Sequence, residues 1–185
     1  PGTGALVAAG PVVGERNVAG QSAADQPQRL LAERLEGNTQ RQTFSLLGAV
    51  QWEDPVRGQR FEGRDLQLDL SAQSGTTSLP FQLSEGSRRA TGTGLTVQVP
   101  VAVATIANQC HLQQPGDQLN ANRCQWNWRS GAFSADGPVV LQRAANHQTS
   151  RATVLQGNLG EGGSFSISAP GSRVISRFQV SGHPR

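Results

Sequence analysis

The chain has 185 residues, of which 36% are hydrophobic and 16% charged, and a net charge of +3. That balance carries too little net charge for a disordered chain, and the length suits one domain or a short repeat array. All sixteen basic residues are arginine, so the phosphate-loop lysine, Schiff-base catalysis and serine-lysine dyads are excluded.

The isoelectric point of 10.1 reflects the high side-chain pKa of arginine more than an excess of charge. The arginines are scattered, with Arg88-Arg89 the one adjacent pair, so no nucleic-acid partner is expected. In chain order, the apolar run GALVAAGPVV (Gly4 to Val13) is about half the length a membrane-spanning helix needs and lacks a basic leader. Residues 1–28 read as a flexible Gly/Ala/Gln-rich linker, with any anchor or signal peptide upstream. Residues 29–181 read as the folded domain and 182–185 as a tail.

Beyond Gln28 two-residue alternation dominates, which predicts β-structure. LQLDL (Leu66 to Leu70), LTVQV (Leu95 to Val99) and CQWNW (Cys124 to Trp128) share one apolar-polar pattern and recur every 29 residues. A second set keeps nearly the same step: AVQWE, PFQLS, QCHLQ, PVVLQ and SFSIS, starting at Ala49, Pro80, Gln109, Pro138 and Ser164. A two-strand unit of about 29 residues implies an array in which each unit buries its apolar face on its neighbours. The expectation is an all-β, elongated antiparallel sheet structure, polar outside and apolar inside. Its interior is either packed core or a groove left open for an apolar ligand.

Cys110 and Cys124 flank the turn QQPGDQ. Pairing the strands about it sets the two cysteines opposite each other, and Leu112 opposite Asn122, which predicts a cross-strand disulfide and an oxidising compartment. His111, His147 and His183 stand apart from one another, so no metal site is expected. Glu53-Asp54 before Pro55 reads as a hairpin end, GEGGS (Gly160 to Ser164) as a mobile turn, and Gly2-x-Gly4 follows no strand. No catalytic motif is present, so neither an enzyme nor a cofactor is expected.

The glycine-led strands Gly48-Ala49-Val50-Gln51-Trp52 and Gly137-Pro138-Val139-Val140-Leu141, with GRDLQLDL and NANRCQWNW as partner strands, resemble the OstA-like repeats of the lipopolysaccharide transport proteins of the LptA and LptC type. The resemblance covers about Leu30 to Val180. It implies a β-jellyroll open along one side that carries acyl chains through the periplasm, with lipopolysaccharide, neighbouring jellyrolls and an inner-membrane ABC transporter as partners. The linker-like start favours the anchored, LptC-like form. By position, Val50, Trp52, Leu66, Leu68, Leu70, Phe81, Leu83, Leu95, Val97, Val99, Leu112, Trp126, Trp128, Val139, Leu141, Phe165 and Ile167 line the trough. The terminal strands LLAERLE (Leu30 to Glu36) and RVISRFQV (Arg173 to Val180) are the candidate edges for a neighbour, with a proline at Phe178 expected to weaken the joint. The rival reading is an extracellular or periplasmic β-repeat module that binds glycans or scaffolds proteins, which needs aromatic side chains facing water.

Overall fold

The computed structural model describes residues 4–16, 27–144, 147–158, 165–171 and 173–177. The described residues form one antiparallel sheet of thirteen strands. In chain order these are β1 (Ala5–Arg16), β2 (Gln28–Asn38), β3 (Thr43–Asp54), β4 (Gln59–Asp69), β5 (Ser74–Glu85), β6 (Arg88–Gln98) and β7 (Val103–Gln114). They continue with β8 (Asp117–Ala121), β9 (Arg123–Asn127), β10 (Ala132–Arg143), β11 (Gln148–Asn158), β12 (Phe165–Ser168) and β13 (Ile175–Arg177). Consecutive strands pair as a meander, except that β8 does not pair with β9 nor β12 with β13. β8 and β9 flank Asn122 and act as one broken strand between β7 and β10. β12 and β13 share β11 in the same way.

The long strands alternate between twelve and eleven residues, and register breaks fall near their middles. In β3 and β10 the shifts fall between Leu46 and Ala49 and between Asp136 and Val139. Gly10, Gly48, Asp65, Gly94, Gln109 and Gly137 take positive φ at or beside these breaks, as bulged strands require. Ladder bonds lost there are replaced by side chains. Asp65 accepts from the Gly48 N–H at 2.8 Å, Glu33 from the Ala49 N–H at 3.0 Å, and the buried Thr77 hydroxyl donates to the Arg64 carbonyl at 2.8 Å.

Every long strand from β2 to β11 has an apolar face, yet there is no second sheet and no helix among the described residues to cover it. The sheet therefore covers itself, bending at the line of bulges so that its two halves face each other. Leu46, Val50, Val139 and Leu155 lie next to that line and are all but inaccessible. A buried leucine or valine of this kind contributes roughly 1.5–3 kcal/mol. Phe61 and Phe81 stack at 6.3 Å beside them.

Three expectations are corrected here. Ala5–Arg16 is a paired strand with its own bulge, not linker. As a result β2 is an interior strand between β1 and β3, and LLAERLE is no free edge. The glycine of the Gly-x-Val-x-apolar motif marks the middle of a long strand and not its entry, because Gly48 and Gly137 are the bulge positions of β3 and β10. In the other terminal segment, Ile175–Arg177 pairs with β11, while Phe178 and the GEGGS stretch lie outside the described residues.

A side chain at Gly137 would need φ +93° and would bring its Cβ to 2.5 Å from the Asn122 Cβ. Gly137→Val is expected to lower stability by about 1–3 kcal/mol, read from the urea midpoint. An unchanged midpoint would show that the bend does not depend on this position.

Candidate functional site

The inward side chains form rows that run across the sheet. In the half reached through the second part of β3, one row reads Leu30, Trp52, Phe61, Leu83, Ala90, Leu112, Leu119, Leu141, each paired with the next. It ends in Ser150 and Ser176, whose hydroxyls bond to each other at 2.9 Å. In the other half the outermost row reads Gly37, Phe44, Leu68, Gly75, Val97, Ala104, Trp126, Phe133. Nearer the bend in that half lie Leu35, Leu46, Leu66, Leu95, Ile106 and Leu155.

The sequence-predicted residues divide by position. Val50, Phe81, Leu95, Val139 and Leu141 are closed core around the bend. Trp52, Leu66, Leu68, Leu83, Val97, Leu112 and Ile167 are half-buried against that core. Trp126 is an inward residue of the outermost row but 38% exposed. Leu70, Val99 and Trp128 do not line the interior. β4, β6 and β9 end at Asp69, Gln98 and Asn127, so the third apolar residue of each alternating pattern falls in the following turn and is exposed. Phe165 pairs through its backbone with Gly157.

Phe44, Phe61, Ile106, Leu119, Phe133 and Leu155 are interior residues that the alternation missed. The eleven-residue strands take a three-residue step at the bend, as between Gly63 and Leu66 or Gly92 and Leu95, which reverses their inward parity. A pattern followed from LQLDL backwards therefore leaves Phe61 out of phase.

Cys110 and Cys124 are bonded, but they are not direct partners. Cys110 pairs with Ala121, Cys124 with Ile106, and Leu112 with Leu119, not Asn122. The bulge at Gln109 and the break at Asn122 shift the register between the two halves, so the bridge runs diagonally across the bend with 5.9 Å between Cα atoms. It ties one half of the sheet to the other at the place where they diverge.

The turns at the strand ends form two rims of opposite character. On one rim, inward polar side chains bond in sequence. Gln28 donates to Asp54 at 2.7 Å, Gln59 to Glu85 at 2.8 Å and Gln114 to Asp117 at 3.1 Å, and Arg143 approaches Asp117 at 3.9 Å. A cleft of about 580 Å³ opens there, lined by Gln113, Gln142, Arg143 and His147 among others. The opposite rim carries Leu70, Val99, Val101 and Trp128, beside the edge-to-face pair Trp126 and Trp128 at 6.3 Å. The sheet thus has closed packing at the bend, half-buried apolar side chains beside it, and one hydrogen-bonding rim set against a rim that exposes Leu70, Val99, Val101 and Trp128. Among the described residues no three metal-capable side chains cluster.

Burial pushes the Asp54 carboxyl up. The Gln28 amide, the backbone N–H of Arg57, the Arg57 charge and the Val56 N–H outweigh it and hold the pKa below the ordinary carboxylate value. A lowered folded-state pKa gives stability that is present above the unfolded value, about 3.9, and lost as pH falls through the folded value.

No protein-family profile and no curated protein matches the chain. Among solved structures, a match is the crystal structure of LptH, described as the LptA-homologous periplasmic component of the lipopolysaccharide transport device of Pseudomonas aeruginosa. It has 16% sequence identity and a TM-score of 0.48, and the match covers 55% of this chain and 76% of that one.

Two measurements check the site. Replacing both cysteines with alanine is expected to cost about 3 kcal/mol for a closed loop of this length; unchanged unfolding would leave the bridge without a structural role. Asp54→Asn is expected to flatten the loss of stability on acidification relative to the wild type, followed by thermal unfolding from neutral pH downward. Identical acid profiles would contradict the assignment.

Proposed function

We propose that the protein is a periplasmic lipopolysaccharide transport component that holds acyl chains in the trough and joins neighbouring β-jellyrolls in a bridge fed by an inner-membrane ABC transporter. The observation that carries this reading is the asymmetry of the trough. An amphipathic lipid needs apolar wall for its chains and hydrogen-bonding groups for its head group in one continuous site. The half-exposed row through Phe44, Leu68, Val97 and Trp126 supplies the first; the Gln-carboxylate lip supplies the second. The OstA-like resemblance of the sequence supports the same substrate, and a disulfide fits the periplasm. The preference for an LptC-like role rested on a linker-like start; with Ala5–Arg16 paired in the sheet, that support is gone, and the proposal is made for the family rather than for either member.

The chains lie against the outer wall rather than the floor, because the residues at the bend are already packed on one another. Trp52, Leu66, Leu83, Leu112 and Ile167 then act as the boundary between wall and core. One observation favours the glycan-binding reading: Trp126 and Trp128 are each 38% exposed in an edge-to-face pair, as a stacking platform for sugars would be.

Photocrosslinkers placed at Leu68 or Trp126 in cells are expected to capture lipopolysaccharide, while those at Gln67 or Gln125, on the outer face, are not. Equal yields from both faces would remove the trough as the carrier. Binding of the deacylated saccharide as tightly as the intact lipid would favour the glycan reading instead.

A further inference from the structure

The turns of the apolar rim repeat along the sheet with a regularity that the packing of the core does not need. Leu70, Val99 and Trp128 occupy the same place in three successive turns, the first residue after β4, β6 and β9. Their backbone N–H groups bond to the preceding turn, Leu70 to the Gln42 carbonyl at 2.9 Å, Val99 to Gln73 at 3.0 Å and Trp128 to Ala102 at 3.0 Å. The three side chains are therefore held in a line. Successive turns are two strands apart, so the line is roughly 19 Å long. All three are exposed, at 54%, 49% and 38%, and Val101 extends the surface at 54%.

The rim is also suited to a medium poorer in water. Besides the laddered N–H groups, the Asn127 side chain accepts from the backbone of Arg129 and Ser130. The Asp69 carboxylate accepts from the Ser71 hydroxyl at 2.6 Å and the Ala72 N–H at 2.8 Å, and these bonds lower its pKa. Turn backbone that satisfies itself can approach hydrocarbon without stranding polar groups. The remaining charges on these turns are Arg41 and Arg129, both exposed and in no ion pair among the described residues. The rim thus combines aliphatic side chains, a tryptophan and two cations, with its one carboxylate turned inward on its own turn. Tryptophan prefers the membrane–water interface, and arginines are attracted to anionic head groups. The polar rim exposes one large aliphatic side chain on its described turns, Val56, and carries the carboxylates Glu85 and Asp117 paired with glutamines.

We propose that the apolar rim docks on the surface of an anionic lipid bilayer, with Leu70, Val99, Val101 and Trp128 entering the interface and Arg41 and Arg129 meeting lipid phosphates. The docked rim is continuous with the trough, because Trp126, next to Trp128, pairs with Ala104 and Phe133 on the inner wall. A lipid can then pass from bilayer to wall without crossing open water. The docking surface itself is independent of what the trough carries.

The test uses the whole chain and sugar-free vesicles of phosphatidylcholine, with or without an equal share of phosphatidylglycerol. The wild type is expected to cosediment with the anionic vesicles, and Leu70→Ser/Val99→Ser/Trp128→Ser to lower the partition coefficient on the order of tenfold or more. Arg41→Gln/Arg129→Gln is expected to weaken binding to the anionic vesicles alone. With Trp52→Phe and Trp126→Phe in place, Trp128 fluorescence should be quenched by brominated lipid. Wild-type protein left in the supernatant, a triple variant that sediments equally, or unquenched Trp128 overturns the proposal. So does a lipid-free dimer that the triple variant abolishes, which would give the rim to a second copy, or vesicle binding that soluble glycans compete away. Lipopolysaccharide crosslinking at Leu68 without vesicle binding would refute the docking rim and leave the transport reading standing.

Discussion

The structure depends on the near-middle bulge of its strands. A single antiparallel sheet with one apolar face has nothing to bury that face against unless it bends, and a strand bends where an extra residue breaks its ladder. Here the breaks line up across neighbouring strands, and glycine or another residue at positive φ sits in or beside most of them. Asp65, Glu33 and Thr77 recover the backbone bonds that the bulges give up. The core next to the bend is closed as a result, whereas Phe44, Leu68, Val97 and Trp126 towards the strand ends are only partly covered.

The same bend fixes which turns face each other. Turns at one end of the strands carry glutamines and paired charges; turns at the other carry aliphatic side chains and tryptophan. This polarity is a property of where strands stop. Asp54, Glu85 and Asp117 terminate one end inside hydrogen-bonded pairs, while Leu70, Val99 and Trp128 begin turns at the other. The diagonal Cys110–Cys124 bridge holds the two halves in one relation at their junction.

Much of this was legible in the sequence. The 29-residue period, the all-β class, the disulfide and the inward sense of residues such as Val50, Trp52, Leu68 and Val97 followed from alternation and spacing. What alternation could not carry was the bend. The twelve-residue strands take a four-residue step at the bulge and keep their inward parity, as from Leu46 to Val50, so their pattern reads straight through. The eleven-residue strands, and the broken strand β8–β9, take three and reverse it, so straight alternation passes over Phe61 and Leu119, and a register drawn across Gln109 misplaces the partners of both cysteines. The strand ends are equally hidden, because an apolar residue just past a strand looks like one more step of the pattern: alternation assigns Trp128 to the wall, whereas it opens the turn after β9. Ala5–Arg16 has the composition of a linker, since its small residues carry a strand's backbone pairing without a strand's bulky alternation.

The central claim is that one sheet folds over on itself, and the separation of the rims measures it directly. Spin labels at Ser71 and Ser87, in the turns at either end of the twelve-residue strand β5, would lie about 40 Å apart on an unbent strand. Pulsed dipolar spectroscopy with the native disulfide intact should give one narrow distance well below that figure, broadening or lengthening when lipopolysaccharide is added. A distribution centred near the full strand length would contradict the bent sheet and the trough that rests on it.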